Sequence, residues 1–278
     1  MYPIINLKRC TDCQFCVNDC ISKAIRKENK EVLHDKCIHC GHCVSICPVE
    51  AVTINGLSGE QLISTPDAMP LYMETLVKKR RSVRHYKNEL VSRKKIDKIL
   101  EVTNCAPTGT NSRSVSISVL DSREKIDELT DIIMRHFDKM TKIILNPITY
   151  PFLLIILGRK KTGKLFNYKR MISKYESGNN ILTHNAPLLM IFHSHKKSST
   201  PVQDGIIWAT TAMYFAESLG IGTCFNGFLV IGINTSMKAK KYLNIPIGHK
   251  ICETFTAGYP EYSYKRGVIR DDLKVGFV

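Results

Sequence analysis

The sequence lacks both a long apolar run and a recognisable leader segment. Its longest mainly apolar stretch, residues 148–157, is broken by Pro151 and is too short to cross a bilayer. The first residues do not show the basic segment and apolar core that mark a signal peptide. We therefore expect a cytoplasmic protein without a membrane partner.

Negative charge is scarce, because 25 acidic residues stand against 40 lysines and arginines and give a formal net charge of +15. Such a balance invites comparison with nucleic-acid-binding proteins. The cations are dispersed, however, with the densest runs at 78–84, 159–164 and 238–241, and no basic strand is interleaved with aromatic residues. We expect no nucleic-acid partner and regard a small acidic protein as a better match for this charge.

A chain of 278 residues with 44% hydrophobic and 23% charged residues has the composition of ordinary globular protein. Its length predicts about two domains. A turn at Asn55-Gly56 is followed by a stretch without sustained periodicity that contains glycine and prolines, which is typical of a domain boundary. We predict domains at 1–57 and 71–278, joined by a linker at 58–70.

Cysteine shows the clearest pattern of any residue type. Eight of the eleven cysteines form two runs of identical spacing at a constant offset of 27 residues: Cys10, Cys13, Cys16 and Cys20, then Cys37, Cys40, Cys43 and Cys47. The repeat extends to Ala24 and Ile25, which recur as Ala51 and Val52. This pattern indicates a duplicated unit. We interpret the other three cysteines as packed thiols: Cys105, Cys224 and Cys252.

Each run reads C-x₂-C-x₂-C-x₃-C, which resembles the bacterial ferredoxin pattern for two [4Fe-4S] clusters. Three thiolates separated by two residues can wrap around one cuboidal cluster, and a distant fourth thiolate completes it. In the ferredoxin pattern the fourth cysteine of each run serves the other cluster. The resemblance implies Cys10, Cys13, Cys16 and Cys47 for one cluster and Cys37, Cys40, Cys43 and Cys20 for the other.

A pair of zinc sites is the alternative, because four-cysteine zinc sites also use C-x₂-C pairs. Zinc would need two pairs for each site, whereas this chain has two runs of four and a Cys47-Pro48 step that zinc does not explain. The first run ends in Cys20-Ile21 and lacks that proline. We interpret His39 and His42, inside the second run, as loop residues.

A basic cluster is the second informative motif, with the sequence Arg-Arg-Ser-Val-Arg-His-Tyr at 80–86. Closely spaced guanidinium groups and a hydroxyl can make several charge-assisted bonds to one phosphate. The same residues suit a solvated helix end, where cations lie beside the C-terminal dipole. A predicted helix capped by Ser92 then leads to the segment 106–111 and an alternating strand at 115–119.

The order of these motifs resembles the nitroreductase family of FMN-dependent flavoproteins. Its signature is Arg-Arg-Ser-x-Arg-x-aromatic, a helix, and Ala-Pro-Ser-x-x-Asn before a strand. Here Thr108 replaces the serine and keeps a hydroxyl, and residues 112–114 replace the usual Gln-Pro-Trp. Residues 220–224 match the family's Gly-Leu-Gly-Thr-Cys, and Gly258-Tyr259-Pro260 matches its closing pattern.

The resemblance implies an α+β fold with a central mixed sheet in the second domain, FMN as cofactor, and a homodimer. Basic residues near the end of the family's chains return to the FMN phosphate, and Arg270 is our first choice for that role, with Arg266 second. The implied FMN contacts are Arg80, Arg81, Ser82, Arg84, Pro107, Thr108, Gly109, Asn111, Phe225, Asn226, Gly227, Arg266 and Arg270.

Two further motifs admit more than one interpretation. Residues 158–164 nearly form a P-loop, but Leu165 occupies the position of the magnesium-binding hydroxyl, and we interpret the stretch as a loop. His193 and His195 end a continuously apolar strand. They are either metal ligands or, as we favour, the polar end of that strand.

Together the motifs predict an FMN-dependent oxidoreductase that receives electrons through two [4Fe-4S] clusters and reduces a small organic acceptor such as a nitroaromatic or a quinone. Alternatives on the same scaffold are reductive dehalogenation, enone reduction, or a redox sensor or electron-carrier module without turnover. FMN carries the chemistry, and no residue is identified as a general acid. We expect reduced ferredoxin, rather than NAD(P)H, as the electron donor.

Overall fold

A computed structural model describes residues 2–60, 62, 64–148, 150–151, 155 and 165–277. By their contacts the residues form two compact units, Met1–Met69 with Thr108–Arg113, and Pro70–Pro107 with Ser114–Val278. The near P-loop at 158–164 lies outside the described residues, as does much of the apolar run before it. The domain limits that the sequence predicts remain a prediction.

The first unit repeats one small motif twice. Its elements are β1 (Ile4–Ile5), α1 (Phe15–Asn18), α2 (His42–Ser45) and β2 (Val52–Thr53). The strands pair antiparallel, with Ile5 opposite Val52. The duplicated positions are buried in both halves, since Ala24, Ile25, Ala51 and Val52 are each at most 5% exposed. The sequence repeat therefore corresponds to a repeated core.

From residue 69 onward the described residues form four strands with one or two helices between them. The elements are α3 (Met69–Lys79), α4 (Arg93–Thr103), β3 (Val115–Leu120), α5 (Arg123–Ile144), α6 (Leu165–Glu176), β4 (Leu188–His195), α7 (Pro201–Ser218), β5 (Gly222–Phe225), α8 (Gly227–Thr235), α9 (Met237–Tyr242) and β6 (His249–Gly258). Helix α5 shows why they form: Ile126, Leu129, Ile133 and Phe137 recur every three or four residues and are fully buried on one face.

The second unit is built on a four-stranded sheet in the order β3-β4-β6-β5. Every pairing between these strands is antiparallel. A parallel pairing occurs at an isolated bridge between Ser82 and Thr223. The α+β fold is confirmed, but the central sheet is antiparallel among the described strands, and the predicted mixed character is limited to that bridge.

Strand β4 lies at the centre of the sheet and is buried on both faces. Leu188, Met190 and Phe192 face one apolar core, together with residues of α4 and α7. Leu189 and Ile191 face a second core, together with residues of α5, α6 and α8. Because side chains alternate along a strand, a strand covered on both faces must be continuously apolar.

Helix α3 has no buried residue, although its sequence is rich in apolar side chains. Leu71, Tyr72, Met73 and Val77 are between 47% and 66% exposed. Among the described residues, no helix combines the length and hydropathy that crossing a bilayer requires.

Candidate functional site

The eight cysteines of the first unit line two cavities in groups of four. Cys10, Cys13, Cys16 and Cys47 line one, and Cys20, Cys37, Cys40 and Cys43 line the other. The fourth cysteine of each run therefore lies with the first three of the other run. This is the crossed grouping that the ferredoxin resemblance implies.

The electrostatics of the thiols reflect the same grouping. Burial raises the pKa of Cys16, and Cys10, Cys47 and Cys13 raise it further. Burial raises the pKa of Cys43 to about 11, and Cys40 adds to that effect. Since like charges raise the pKa of a thiol, each group would hold several negative charges once ionised, and a cation-rich centre would stabilise them.

The donors of each cavity fit a [4Fe-4S] cluster. Four cysteines line each cavity, which is the number of ligands that one such cluster takes. A cuboidal cluster has its ligands spread around its corners, whereas zinc draws four ligands to about 2.3 Å from one point.

Backbone hydrogen bonds to sulfur repeat along with the cysteines. The Ala24 N–H donates to Cys20 Sγ at 3.3 Å, and the Ala51 N–H donates to Cys47 Sγ at 3.2 Å. Hydrogen bonds to ligand sulfur tune the potential of an iron–sulfur cluster. The alanine repeat was visible in the sequence, but its relation to the fourth cysteine of each run becomes visible only in the structure.

Lys30 lines the first cavity, and the sequence analysis did not single it out. Its side chain is 6% exposed and pairs with Asp12, which lies between Cys10 and Cys13, at 2.5 Å. The hydrogen bond from Lys30 to Asp12 raises the pKa of the ammonium group, and nearby Cys10 and Cys16 raise it as well. A protonated lysine therefore lies beside one set of cysteines.

In the second unit, the basic segment 80–86 is held against the edge of the sheet. The Val83 N–H donates to the Thr223 carbonyl at 2.9 Å, and the Tyr86 hydroxyl donates to the Val83 carbonyl at 2.7 Å. Gly222 permits this approach, because a Cβ there would lie 2.4 Å from Cγ2 of Val83. The close packing fixes the segment beside β5.

Within this segment the arginines have different partners. Arg81 donates to the carbonyls of Lys78 and Arg80, at the end of α3, and also to the carbonyl of Arg266 at 3.3 Å. Arg84 donates to the Ser82 carbonyl at 3.3 Å. Arg81 therefore caps a helix, which matches the solvated-helix-end interpretation for that residue.

Arg80, Ser82 and Arg84 lie near Cys224 of β5. Burial raises the pKa of Cys224, whereas Arg84, the Ser82 hydroxyl and Arg80 act in the opposite direction. Among the ion pairs of the described residues, none includes Arg80, Arg81 or Arg84. This cationic group is suited to an anion such as a phosphate.

Two partly buried titratable groups lie near the arginines, and no motif in the sequence marks them. Burial raises the pKa of Glu217, and Lys79, Arg80 and Arg81 oppose that effect. Burial lowers the pKa of His184 to about 4, and Arg84 lowers it as well. His184 is therefore neutral at physiological pH. No motif marks either residue, because both are brought here by the tertiary fold.

The segment 225–227 links β5 to α8, and its residues serve different purposes. Asn226 is buried and caps α8, since its side chain accepts from the Leu229 N–H at 3.1 Å and donates to the Leu182 carbonyl. Phe225 is 37% exposed. Gly227 is exposed, and a Cβ there would meet no atom within 4 Å. The fold therefore does not require glycine at 227, and the space beside it is open to a ligand.

The predicted FMN residues Thr108, Gly109 and Asn111 belong by contact to the first unit, whereas Pro107 belongs to the second. The segment contains a tight turn with positive φ at Thr110, Asn111 and Arg113. Asn111 Nδ2 donates to the carbonyls of Ile38 and His39, at 3.0 and 2.9 Å. Those carbonyls lie between the cluster cysteines Cys37 and Cys40.

The two candidates for the closing phosphate contact lie in the exposed segment after Pro260. The Arg266 carbonyl meets Arg81, as described above. Arg270 is exposed. The structure thus places the backbone of Arg266, our second choice, against the basic segment 80–86, and not that of Arg270, our first choice.

Comparison with known proteins assigns a family to each part of the chain. The model for the nitroreductase family matches residues 77–259, and the model for a 4Fe-4S dicluster domain matches residues 2–48. Pyruvate synthase subunit PorD of Thermotoga maritima is 38% identical over 55 residues, which are 19% of this chain and 56% of that protein. PorD of Methanothermobacter marburgensis is 38% identical over 50 residues, 18% of this chain and 60% of that protein. The chain thus spans less than two thirds of the length of these relatives.

Solved structures show the fold of the larger part. A nitroreductase with bound FMN from Bacteroides fragilis has a TM-score of 0.56 at 19% identity, covering 77% of this chain and 98% of that one. A nitroreductase with bound FMN from Desulfitobacterium hafniense has a TM-score of 0.56 at 19% identity, covering 74% of this chain and 97% of that one. The chain belongs to the nitroreductase family and carries an N-terminal 4Fe-4S dicluster domain.

Proposed function

We propose that the chain is an FMN-dependent oxidoreductase that receives electrons through two [4Fe-4S] clusters and reduces a small organic acceptor such as a nitroaromatic or a quinone. The observation that carries the proposal is the presence of two separate four-cysteine cavities on a chain of the nitroreductase family. Iron–sulfur clusters take up electrons one at a time, and a flavin can deliver two electrons together. A chain with both kinds of site is suited to a two-electron reduction that is fed by a one-electron donor.

The crossed cysteine groups would hold the clusters. Cys16 also raises the pKa of Cys43, so the two groups lie within electrostatic reach of one another. Such proximity supports electron exchange between the clusters. The anionic clusters would also offset part of the positive charge of the chain.

Arg80, Ser82, Arg84 and Arg266 are the residues that we propose for the FMN phosphate. The first three lie near Cys224, and the backbone of the fourth contacts Arg81. Gly227 would leave room for the flavin ring. When bound, FMN accepts electrons one at a time and delivers two to an organic acceptor.

Asn111 has a role in this proposal that differs from a direct flavin contact. Its amide holds the segment 108–113 against the loop between Cys37 and Cys40. We assign it the task of anchoring the segment 108–113 within the first unit, beside the cavity lined by Cys20, Cys37, Cys40 and Cys43.

The proposal includes a homodimer. Helix α3 exposes four apolar side chains and buries none, and an isolated helix of this length is unstable in water. Ile206 and Ile207 of α7 and Ile231 of α8 are also more than 40% exposed. A second copy that covers these surfaces would account for their composition.

We further propose a reducing, cytoplasmic setting, because cluster assembly requires free thiols, and a ferredoxin-like donor. A one-electron protein donor suits an inlet of [4Fe-4S] clusters better than the hydride donor NAD(P)H does. The basic surface of the chain would favour an acidic protein of this kind.

A screen of acceptors on anaerobically reconstituted protein tests the proposal. We expect a nitroaromatic or quinone to reoxidise the reduced flavin much faster than solvent oxygen does, with halogenated aromatics and enones as parallel arms. If a halogenated aromatic or an enone reoxidises the flavin faster than nitroaromatics and quinones do, that class of compound replaces them as the proposed acceptor. If no acceptor exceeds oxygen, the chain is a sensor or carrier, and the enzymatic proposal fails.

A further inference from the structure

A basic pocket in the second unit lies outside the cysteine cavities and the segments assigned to FMN. It is an open depression of about 600 Å³. Its lining includes the basic Lys196, Lys240, Lys241 and His249 and the apolar Met237 and Ile247. Among the described residues, the lining thus combines three lysines and a histidine with apolar side chains and contains no acidic residue.

The lysines of this pocket have no carboxylate partner among the ion pairs of the described residues. Lys240 is partly buried, and both its burial and the nearby Lys196 lower its pKa. Two ammonium groups that repel one another across a depression are stabilised by an anion placed between them.

Two loops that form the floor of the pocket are joined by a backbone hydrogen bond and a close contact. The Lys196 N–H donates to the Gly248 carbonyl at 3.0 Å and fixes the loop after β4 to the loop before β6. Gly248 has φ +85°, and a Cβ there would lie 2.6 Å from His195 Nε2. The glycine is therefore required for the turn and for the contact with His195.

A histidine cluster extends from this floor into the sheet. His249 Nδ1 lies 2.9 Å from His193 Nδ1, and His193 Nε2 lies 3.1 Å from Ser118 Oγ. His195 packs edge-on against His249 with ring centroids 5.7 Å apart. These contacts hold the His249 ring in place at the pocket wall, where it adds a hydrogen-bonding group to the lysines.

The volume of the pocket and the residues that line it indicate which class of molecule it binds. A volume of about 600 Å³ falls within the range of small-molecule sites, roughly 300–1,000 Å³. Phosphate concentrates up to two negative charges in one group and therefore matches closely spaced ammonium groups. Exposed Met237 and Ile247 give the depression apolar sides that an organic portion would contact.

We propose that this pocket binds a small organic molecule that carries a phosphate group, with Lys196, Lys240 and Lys241 around the phosphate and Met237 and Ile247 against the organic portion. The site is independent of the proposed function, because it shares no residue with the cluster or FMN assignments. A failure of one proposal therefore leaves the other intact.

Calorimetric titration of the intact holoprotein with inorganic pyrophosphate and with AMP, at constant ionic strength, tests the proposal. We expect saturable binding of both probes, and a loss of about tenfold in affinity for each of Lys196→Gln and Lys240→Gln. Lys238→Gln is the matched control, since Lys238 is exposed on the same helix but does not line the pocket. All three lysine variants should keep the melting temperature and the flavin and iron content of the parent.

Several outcomes would overturn the proposal. One is that neither probe binds saturably to the parent protein. Another is that the parent and the Lys196→Gln/Lys240→Gln double variant bind the probes with equal affinity. The third is that Lys238→Gln lowers the affinity as much as the variants of the pocket lysines do. Citrate provides the carboxylate arm, and tighter binding of citrate than of pyrophosphate would refute the phosphate assignment. A ¹³C-methyl methionine spectrum should show the Met237 signal shifting with AMP and not with chloride.

Discussion

Single residues distinguish the two halves of the duplicated cluster unit. Lys30 is buried beside Cys10, Cys13, Cys16 and Cys47, whereas the residue one repeat later is Leu57, which is 71% exposed. The two cysteine groups therefore have the same ligands but different surrounding charge. Because a cation stabilises the more negative, reduced state of a cluster, the two clusters should differ in potential.

Replacement of Lys30 by methionine should lower the potential of one cluster by roughly 50 mV. Potentiometry followed by electron paramagnetic resonance measures both clusters separately. Lys27→Met is the control, because Lys27 is exposed and does not line either cysteine cavity. Equal shifts in the two variants, or no shift in either, would show that Lys30 does not set the potential.

Two glycines of the flavin region should respond to alanine in opposite ways. Gly227→Ala meets open space and should leave thermal stability unchanged while lowering FMN affinity about tenfold, as a methyl group enters the proposed flavin space. Gly222→Ala would place its Cβ 2.4 Å from Val83 Cγ2 and should lower the free energy of unfolding by about 1–3 kcal/mol. Thermal melts and fluorescence titration with FMN separate the two effects, and full FMN affinity in Gly227→Ala would contradict the flavin placement.

The roles of individual residues could be predicted from the sequence where the ligands of a site recur at a fixed spacing. The eight cysteines could be assigned to two crossed groups from spacing and resemblance, and the structure places them around two cavities in those groups. Lys30 could not be found, since lysine is rarely buried and nothing in its local sequence indicates burial. Asn226 matched a family motif, yet its side chain is used in capping α8.

At the scale of elements, the burial of β4 could be predicted from the sequence, but the structure of its C-terminal end could not. Its apolar run indicates burial on both faces, as observed. The end of the strand contains a bulge between Phe192 and His193, which local sequence does not specify. Of the two interpretations of His193 and His195, the polar strand end fits the structure, because His193 pairs with His249 and Ser118 and is 4% exposed.

The environment of His193 makes stability depend on pH. Burial, and secondarily His249, lower the pKa of His193 to about 4, below its ordinary value of 6.5. Between these values the unfolded chain binds the proton and the folded chain does not, so the free energy of unfolding rises with pH. It should fall by about 1 kcal/mol per unit for this group as the pH drops from 6.5 toward 4.

Denaturant unfolding of the parent and of His193→Gln, at several pH values between 4.5 and 7, measures this contribution. Glutamine can keep one hydrogen bond but does not titrate. The free energy of unfolding of the variant should therefore rise less steeply with pH, by an amount that corresponds to at most one bound proton. Identical slopes in the two proteins would mean that His193 is protonated in the folded state or is not buried.

At the scale of the whole molecule, the two-part organisation was visible in the sequence because each part has its own spaced motif. The assignment of Thr108–Arg113 by contact to the first unit was not visible, since the segment is surrounded in sequence by the second. The exposed apolar face of α3 also required the structure. Its residues alone are compatible with a buried helix, and only the fold shows that nothing among the described residues of this chain covers them.

The apolar face of α3 gives a prediction about assembly. The parent protein should have twice the 31.5 kDa mass of one chain when measured by light scattering. The double variant Leu71→Glu/Val77→Glu should shift it toward one chain, because burying two carboxylates in an apolar interface is unfavourable. Leu90→Glu is the control, since Leu90 is 59% exposed and lies outside α3. A parent of one-chain mass would exclude the homodimer.

The central claim is that one chain holds two [4Fe-4S] clusters and one FMN. Quantitative analysis of iron, acid-labile sulfide and flavin in anaerobically isolated protein tests it most directly. The account predicts about eight irons, about eight sulfides and about one FMN for each chain. Zinc without sulfide, or a full complement of clusters without any flavin after reconstitution with FMN, would contradict it.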